Sequence, residues 1–180
     1  FMQDIPWLGK RDLKREIAAL EADAAKGRAL GTWSELASRI KTNFAQFYFL
    51  YQNERLTQEI LDLMKRLEQI AQARYASGLV PQQDVVRAQV EQSNMRNELI
   101  ALKNEQRMVQ ARLNTLIARP ANAPLESPQS LRPLPAASQI EFSLLESRVR
   151  ENNPLIFAQN SQFKAAQNVR ELVYKNRYPD

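Results

Sequence analysis

No proline interrupts the chain between Pro6 and Pro81, and across that interval apolar residues recur at steps of three and four. They run Leu13, Ile17, Leu20, Ala24, then Trp33, Leu36, Ile40, Phe44, Phe47, Tyr51, then Leu56, Ile60, Leu63, Leu67 and Ile70, reaching Tyr75. That period is helical. Gly27 and Gly31 each cost about 1 kcal/mol relative to Ala, which good helix formers on either side outweigh. The spacing predicts one helix over about residues 8–76, roughly 100 Å long at 1.5 Å per residue. A compact globule of 180 residues has a radius of gyration of only about 16 Å. A helix of that length does not fit inside one, so the expectation is an elongated, rod-like, all-α protein.

Ser77-Gly78-Leu79-Val80-Pro81 supplies a stop and a restart. Gly78 suits the left-handed position just past a helix end, and Pro81 suits the first position of a new helix. Beyond it, Val85, Ala88, Gln92, Met95, Leu99, Leu102, Gln106, Val109, Leu113 and Leu116 alternate steps of three and four without a slip. This is a heptad seam diluted by two glutamines. It predicts a return helix over about 81–118, antiparallel to the lower half of the first helix. Residues 1–118 therefore read as one long hairpin.

Five of the nine prolines, Pro120, Pro124, Pro128, Pro133 and Pro135, fall within residues 119–137. That density excludes helix and predicts an extended linker with local order at most. Helical signals return at Ile140, Leu144, Leu145 and Val149, break at Asn152-Asn153-Pro154, and resume through Ile156, Phe157, Phe163, Ala166, Val169, Leu172 and Val173. Helices over about 138–152 and 154–177 follow, the last able to cover the unpaired upper half of the long helix. Both chain ends would then emerge at the end opposite the Gly78 turn.

One partner helix does not account for every aromatic residue. At 100° per residue, Phe44, Phe47, Tyr48 and Tyr51 share an arc of about 100°, while Phe49 points nearly opposite. Phe49 is either a single exposed apolar side chain, which is common, or part of a second helix interface.

Composition narrows the function. The chain has no Cys and no His, which removes disulfides, thiolate nucleophiles, imidazole bases and nearly every zinc or haem ligand set. Four methionines, Met2, Met64, Met95 and Met108, do not by themselves make a site for a soft metal. The four glycines are too scattered for a phosphate-cradling loop. Glu54 and Asp62 are a conceivable carboxylate pair, but a rod offers no enclosed pocket to shift their pKa values. The expectation is no enzyme activity, no cofactor and no metal site.

The net charge of +5 is spread thinly: residues 1–77 carry 12 basic and 10 acidic side chains, 78–118 carry 5 and 4, and 119–180 carry 8 and 6. No basic stripe with interleaved aromatics marks a nucleic-acid surface. The Lys10–Arg15 run is broken by Asp12 and reads as a solvated face. No stretch approaches the ~18–20 apolar residues of a membrane-spanning helix, and no signal peptide is visible. The Phe1 start and the Tyr178-Pro179-Asp180 end suggest a piece of a longer protein.

With the hairpin placed, its turn is recognisable. Arg74-Tyr75-Ala76-Ser77-Gly78-Leu79-Val80-Pro81-Gln82-Gln83-Asp84-Val85, followed by Ala88-Gln89, resembles the hairpin tip of the outer-membrane efflux protein family, the channels similar to TolC. Leu113-Asn114-Thr115-Leu116-Ile117-Ala118-Arg119-Pro120 looks like that family's close of the return helix, with Ala118 in place of the usual Gly. Asn153-Pro154-Leu155 and Tyr178-Pro179-Asp180 look like the opening of a second repeat. Gln3-Asp4-Ile5-Pro6-Trp7-Leu8-Gly9-Lys10 resembles the approach to the long helix in the CzcC- and CusC-like branch, associated with heavy-metal cation efflux.

The resemblance implies the periplasmic helical part of a trimeric outer-membrane channel: a hairpin over 1–118, an equatorial linker over 119–137, and the upper helices of a second repeat over 138–180. It implies passive conduction, with the tip docking on a periplasmic adaptor that joins it to an inner-membrane RND pump. On this sequence the docking tip would be Arg74, Gly78, Leu79, Val80 and Pro81, and Asp84 would help close the periplasmic entrance. Without the resemblance, Leu79 completes a helix-end apolar contact and Asp84 favours a positive helix N-terminus. The rival class is a periplasmic adaptor hairpin or another structural coiled coil, although no β-like run flanks this hairpin.

Overall fold

The computed structural model describes residues 9–177. Its elements are α1 (Lys10–Ala76), α2 (Gln82–Leu116), a short 3-10 turn (Ala137–Gln139), α3 (Phe142–Asn152) and α4 (Pro154–Lys175). No strand occurs among the described residues, so the fold is all-α as expected. Residues 1–8 and 178–180 lie outside the description, and with them the Gln3–Leu8 approach and the Tyr178-Pro179-Asp180 motif.

The chain divides into two compact units, 38–133 and 1–37 with 134–180. α1 contributes to both.

In the unit of residues 38–133, α2 packs on α1 through the seam that its heptads predict. Val85, Ala88, Gln92, Leu99, Leu102, Val109 and Leu113 are buried, and Met95, Gln106 and Leu116 are half-buried. The α1 side differs from the expected stripe. Phe47, Leu50, Thr57 and Leu61 are buried and Glu54, Met64, Glu68 and Ala71 half-buried, again at steps of three and four. Leu56, Leu63, Leu67 and Ile70, which the apolar count favours, stay 51–58% exposed. α1 thus carries two heptad faces, and α2 takes the more polar one.

The return helix ends earlier than expected, at Leu116 rather than 118. Ala118 has φ 55°; its N–H donates to Thr115 O at 3.1 Å, and Arg119 N–H reaches back to Asn114 O at 2.8 Å. That pair of bonds is a Schellman close with alanine in the left-handed position that usually holds glycine. Its start is also one residue later, because Pro81 at φ −76°, ψ 154° is the N-cap rather than the first helical residue.

The proline-rich segment holds the local order its composition allows, at its first residues. Asn114, fully buried, donates from Nδ2 to Ala121 O at 3.1 Å and Ala123 O at 2.8 Å. Gln110 Nε2 donates to Ala123 O at 2.8 Å, and Leu125 packs on the Phe47, Leu50, Leu102, Val109, Leu113 cluster. Side chains of α2 thus strap the first part of the linker to the hairpin, satisfying carbonyls that proline-rich backbone leaves without partners.

In the other unit, α4 packs antiparallel on the first part of α1. A Cβ on Gly27 would lie 2.8 Å from Pro154 O and 2.9 Å from Ala158 Cβ, and one on Gly9 would lie 2.9 Å from Lys175 Nζ. The closest approach is held by small residues, Ala24 and Gly27 from α1 and Ala158, Ser161 and Ala165 from α4. Leu13 and Ile17 are buried as their period predicts, but other large residues that periodicity marks stay out. Trp33 is 67% exposed, and Phe157, Phe163, Val169 and Val173 are also exposed. The break between α3 and α4 follows its sequence signal. Asn153 caps α4 by accepting Leu155 N–H at Oδ1, 2.9 Å, with Pro154 in the first turn. α3 starts at Phe142, later than the expected 138, because Ala137–Gln139 forms a separate 3-10 turn.

Candidate functional site

The hairpin tip is built by helix-end chemistry. Gly78 N–H donates to Tyr75 O at 2.9 Å and Leu79 N–H to Arg74 O at 2.9 Å, with Gly78 at φ 70°. These are the two bonds of a Schellman motif, and its left-handed residue suits glycine. Leu79 follows the reversal and is 72% exposed. Most of its side chain is therefore open to a partner. Pro81 then caps α2, and Asp84 N–H donates to Pro81 O at 3.2 Å.

Arg74 lies in the last turn of α1 and Asp84 in the first turn of α2. Both charges complement their helix dipoles. Both side chains are exposed, and no ion pair joins them among the described residues. Val80 is half-buried and, with Met64, Leu67, Ile70, Ala71 and Ala88, lines a groove of about 400 Å³ just above the tip. Arg74, Asp84, Arg87 and Glu91 rim it. The structure thus brings Arg74, Val80 and Asp84 together around one groove and leaves Leu79 projecting from the turn.

The next turns up hold a polar layer that periodicity alone does not announce. Gln92 is 3% exposed, and its Nε2 donates to Glu68 Oε2 and to Met64 O at 3.4 Å. Gln89 and Gln72 donate to Glu68 Oε1 at 2.9 and 3.2 Å, and Arg96 donates to Gln92 Oε1 at 3.2 Å. The Glu68 carboxyl is held below its ordinary pKa by the hydrogen bonds from Gln89 and Gln92, with a smaller contribution from the Arg96 charge. Higher up, Gln106 Nε2 donates to Glu54 Oε2 at 2.8 Å and Leu50 O at 3.2 Å, and Lys103 Nζ lies 3.8 Å from Glu54 Oε1. A glutamine in an apolar seam is the sequence signal for such layers; the missing information is which α1 residue stands opposite.

The geometry defines a helical hairpin protein, with an apolar residue projecting from its tip and a second heptad face uncovered, suited to packing against further helices. The chain belongs to the outer membrane efflux protein family, whose sequence profile matches residues 1–119. Curated proteins and solved structures provide no match. Membership makes the chain a component of an outer-membrane efflux channel, in a family of transport proteins rather than enzymes. No helix among the described residues is long and apolar enough to cross a membrane.

Proposed function

We propose that this chain forms part of the periplasmic helical wall of a homotrimeric efflux channel, a passive conduit in a tripartite assembly. Its tip, Arg74, Gly78, Leu79, Val80 and Pro81, docks on a periplasmic adaptor that joins it to an inner-membrane RND pump. Asp84, exposed one turn past the tip, links to a neighbouring helix and helps close the entrance. The heavy-metal branch is the narrower form of this proposal and rests on the residue 3–10 resemblance alone.

The observation that carries the proposal is the uncovered face of α1. Phe49, Leu56, Leu63, Leu67 and Ile70 are exposed and Ile60 half-buried, spaced as a second heptad seam. It lies about 110° around the helix from the seam that α2 fills. A helix with two such seams is satisfied only between two other helices. Repeated around an axis, that arrangement closes into a ring.

The test is Leu56→Asp with Leu63→Asp in the full-length channel. Both sites lie outside the α1–α2 seam, so the hairpin should keep its helical circular dichroism while the trimer is lost in size-exclusion chromatography with light scattering. Trimers that persist would refute the assembly.

A further inference from the structure

α1 offers α2 two heptad faces, and apolar burial alone favours the wrong one. Leu56, Ile60, Leu63, Leu67 and Ile70 make a continuous apolar seam, whereas the occupied face includes Glu54, Thr57 and Glu68. Burial is non-directional and roughly proportional to apolar area, so another interaction must select the face.

The selecting groups stand in two layers of the same design. In each, a glutamine of α2 donates to a glutamate carboxylate of α1 and to a backbone carbonyl one turn before it. Gln92 meets Glu68 and Met64 O, and Gln106 meets Glu54 and Leu50 O. Two heptads separate the glutamines, the glutamates and the carbonyl residues alike, so both layers close in one antiparallel register. On the other face, Gln92 would lie against Leu63, Leu67 and Ile70 with no side-chain acceptor. Gln106, half-buried, would meet the Asn53 amide oxygen, a weaker acceptor than a carboxylate, so the larger penalty falls on Gln92. A buried amide left without its partner loses more than a made bond gains, and polar groups at seam positions are known to specify pairing at a cost in stability.

We infer that the Gln92–Glu68 and Gln106–Glu54 layers choose which face of α1 its own α2 occupies, and so leave the more apolar seam open. The inference rests on the hairpin alone and is independent of the channel proposal.

The chain has no native cysteine, so disulfide trapping reads the face directly. Leu61→Cys with Leu99→Cys reports the occupied face, since both residues are buried in the seam between the two layers. Leu63→Cys with Met95→Cys reports the other face, because Leu63 is 58% exposed while Met95 belongs to the α2 seam. Without further changes, mild oxidation should close the first pair within the chain and leave the second open. Adding Gln92→Leu and Gln106→Leu should raise intramolecular closure of the second pair at least about tenfold, roughly what one unpaired buried polar group imposes on an equilibrium. These leucines extend the α2 seam, so folding is kept, and circular dichroism checks it. Glu54→Ala with Glu68→Ala, which keeps both glutamines, should likewise lower closure of the first pair relative to the second. If the Leu63–Met95 pair stays open in the leucine background, the layers do not choose the face and the inference is overturned.

Discussion

Gly27 and Gly31 lie one turn apart on α1, and alanine should act differently at the two. In isolation each substitution favours the helix by about 1 kcal/mol. At Gly27 the added Cβ would meet Pro154 O at 2.8 Å, Ala158 Cβ at 2.9 Å and Ala158 N at 3.1 Å. Those are backbone atoms and a Cβ in the first five residues of α4, with no rotamer to escape into, so α4 must shift bodily. Overpacking of that kind costs about 1–3 kcal/mol. At Gly31 the Cβ would meet only Leu155, Cδ2 at 2.7 Å and Cγ at 3.1 Å. Leu155 is 53% exposed and can swing outward. Native-state hydrogen exchange separates the two effects, because α4 amides report undocking while α1 amides report helix propensity. Gly27→Ala should speed exchange of the Ala158–Ala165 amides about tenfold, equivalent to ~1.4 kcal/mol. Gly31→Ala should change them by less than about threefold while slowing exchange in α1. Unchanged α4 protection in Gly27→Ala would refute the argument that the glycine is there for close approach.

Three further outcomes follow from the tip and the helix ends. Gly78→Ala should destabilise by about 1 kcal/mol through left-handed strain alone, since an added Cβ meets nothing within 4 Å; Ala118→Gly, at φ 55°, should stabilise by a similar or smaller amount. Urea midpoints that move in the same direction for the two would contradict the shared cap geometry. Leu79→Asp with Val80→Asp should abolish crosslinking of the full-length channel to its adaptor in cells while helical content is unchanged, and intact crosslinking would remove the tip from the docking proposal. Asp84→Ala should raise the conductance of purified full-length trimers in planar bilayers; conductance at the wild-type level would leave Asp84 as a helix-end residue.

Helix existence was legible in the sequence because it follows from period and punctuation. Gly78, Pro81 and Asn153-Pro154 mark the ends of α1 and α3 and the starts of α2 and α4 within one or two residues. The α2 seam was also legible, since α2 has one dominant apolar stripe. Early in α1 the stripe also held, with Leu13, Ile17 and Ala24 buried, but the α1 face opposite α2 and the face of α4 were not legible. Periodicity identifies an apolar face, but it assigns that face to a partner only when the helix has one face to bury. α1 has two, and the larger stripe, Leu56 to Ile70, is the one its own chain leaves open. α4 repeats the pattern, giving Ala158, Ser161 and Ala165 to α1 and exposing Phe157 and Phe163.

The two cases have one physical basis. Within the chain, contact is decided by what no other surface can satisfy: a close approach that only Gly27 and Ala158 permit, and glutamines that need Glu54 and Glu68. Large apolar side chains are less selective, because burial depends on area and not on direction. They serve any complementary helix, including one from another chain. A helix whose most specific face is turned inward and whose most apolar face is turned outward leaves its larger apolar area available, as the channel proposal requires. An isolated surface of that kind is an aggregation liability, so the Leu56–Ile70 seam is better explained by a partner helix than by solvent.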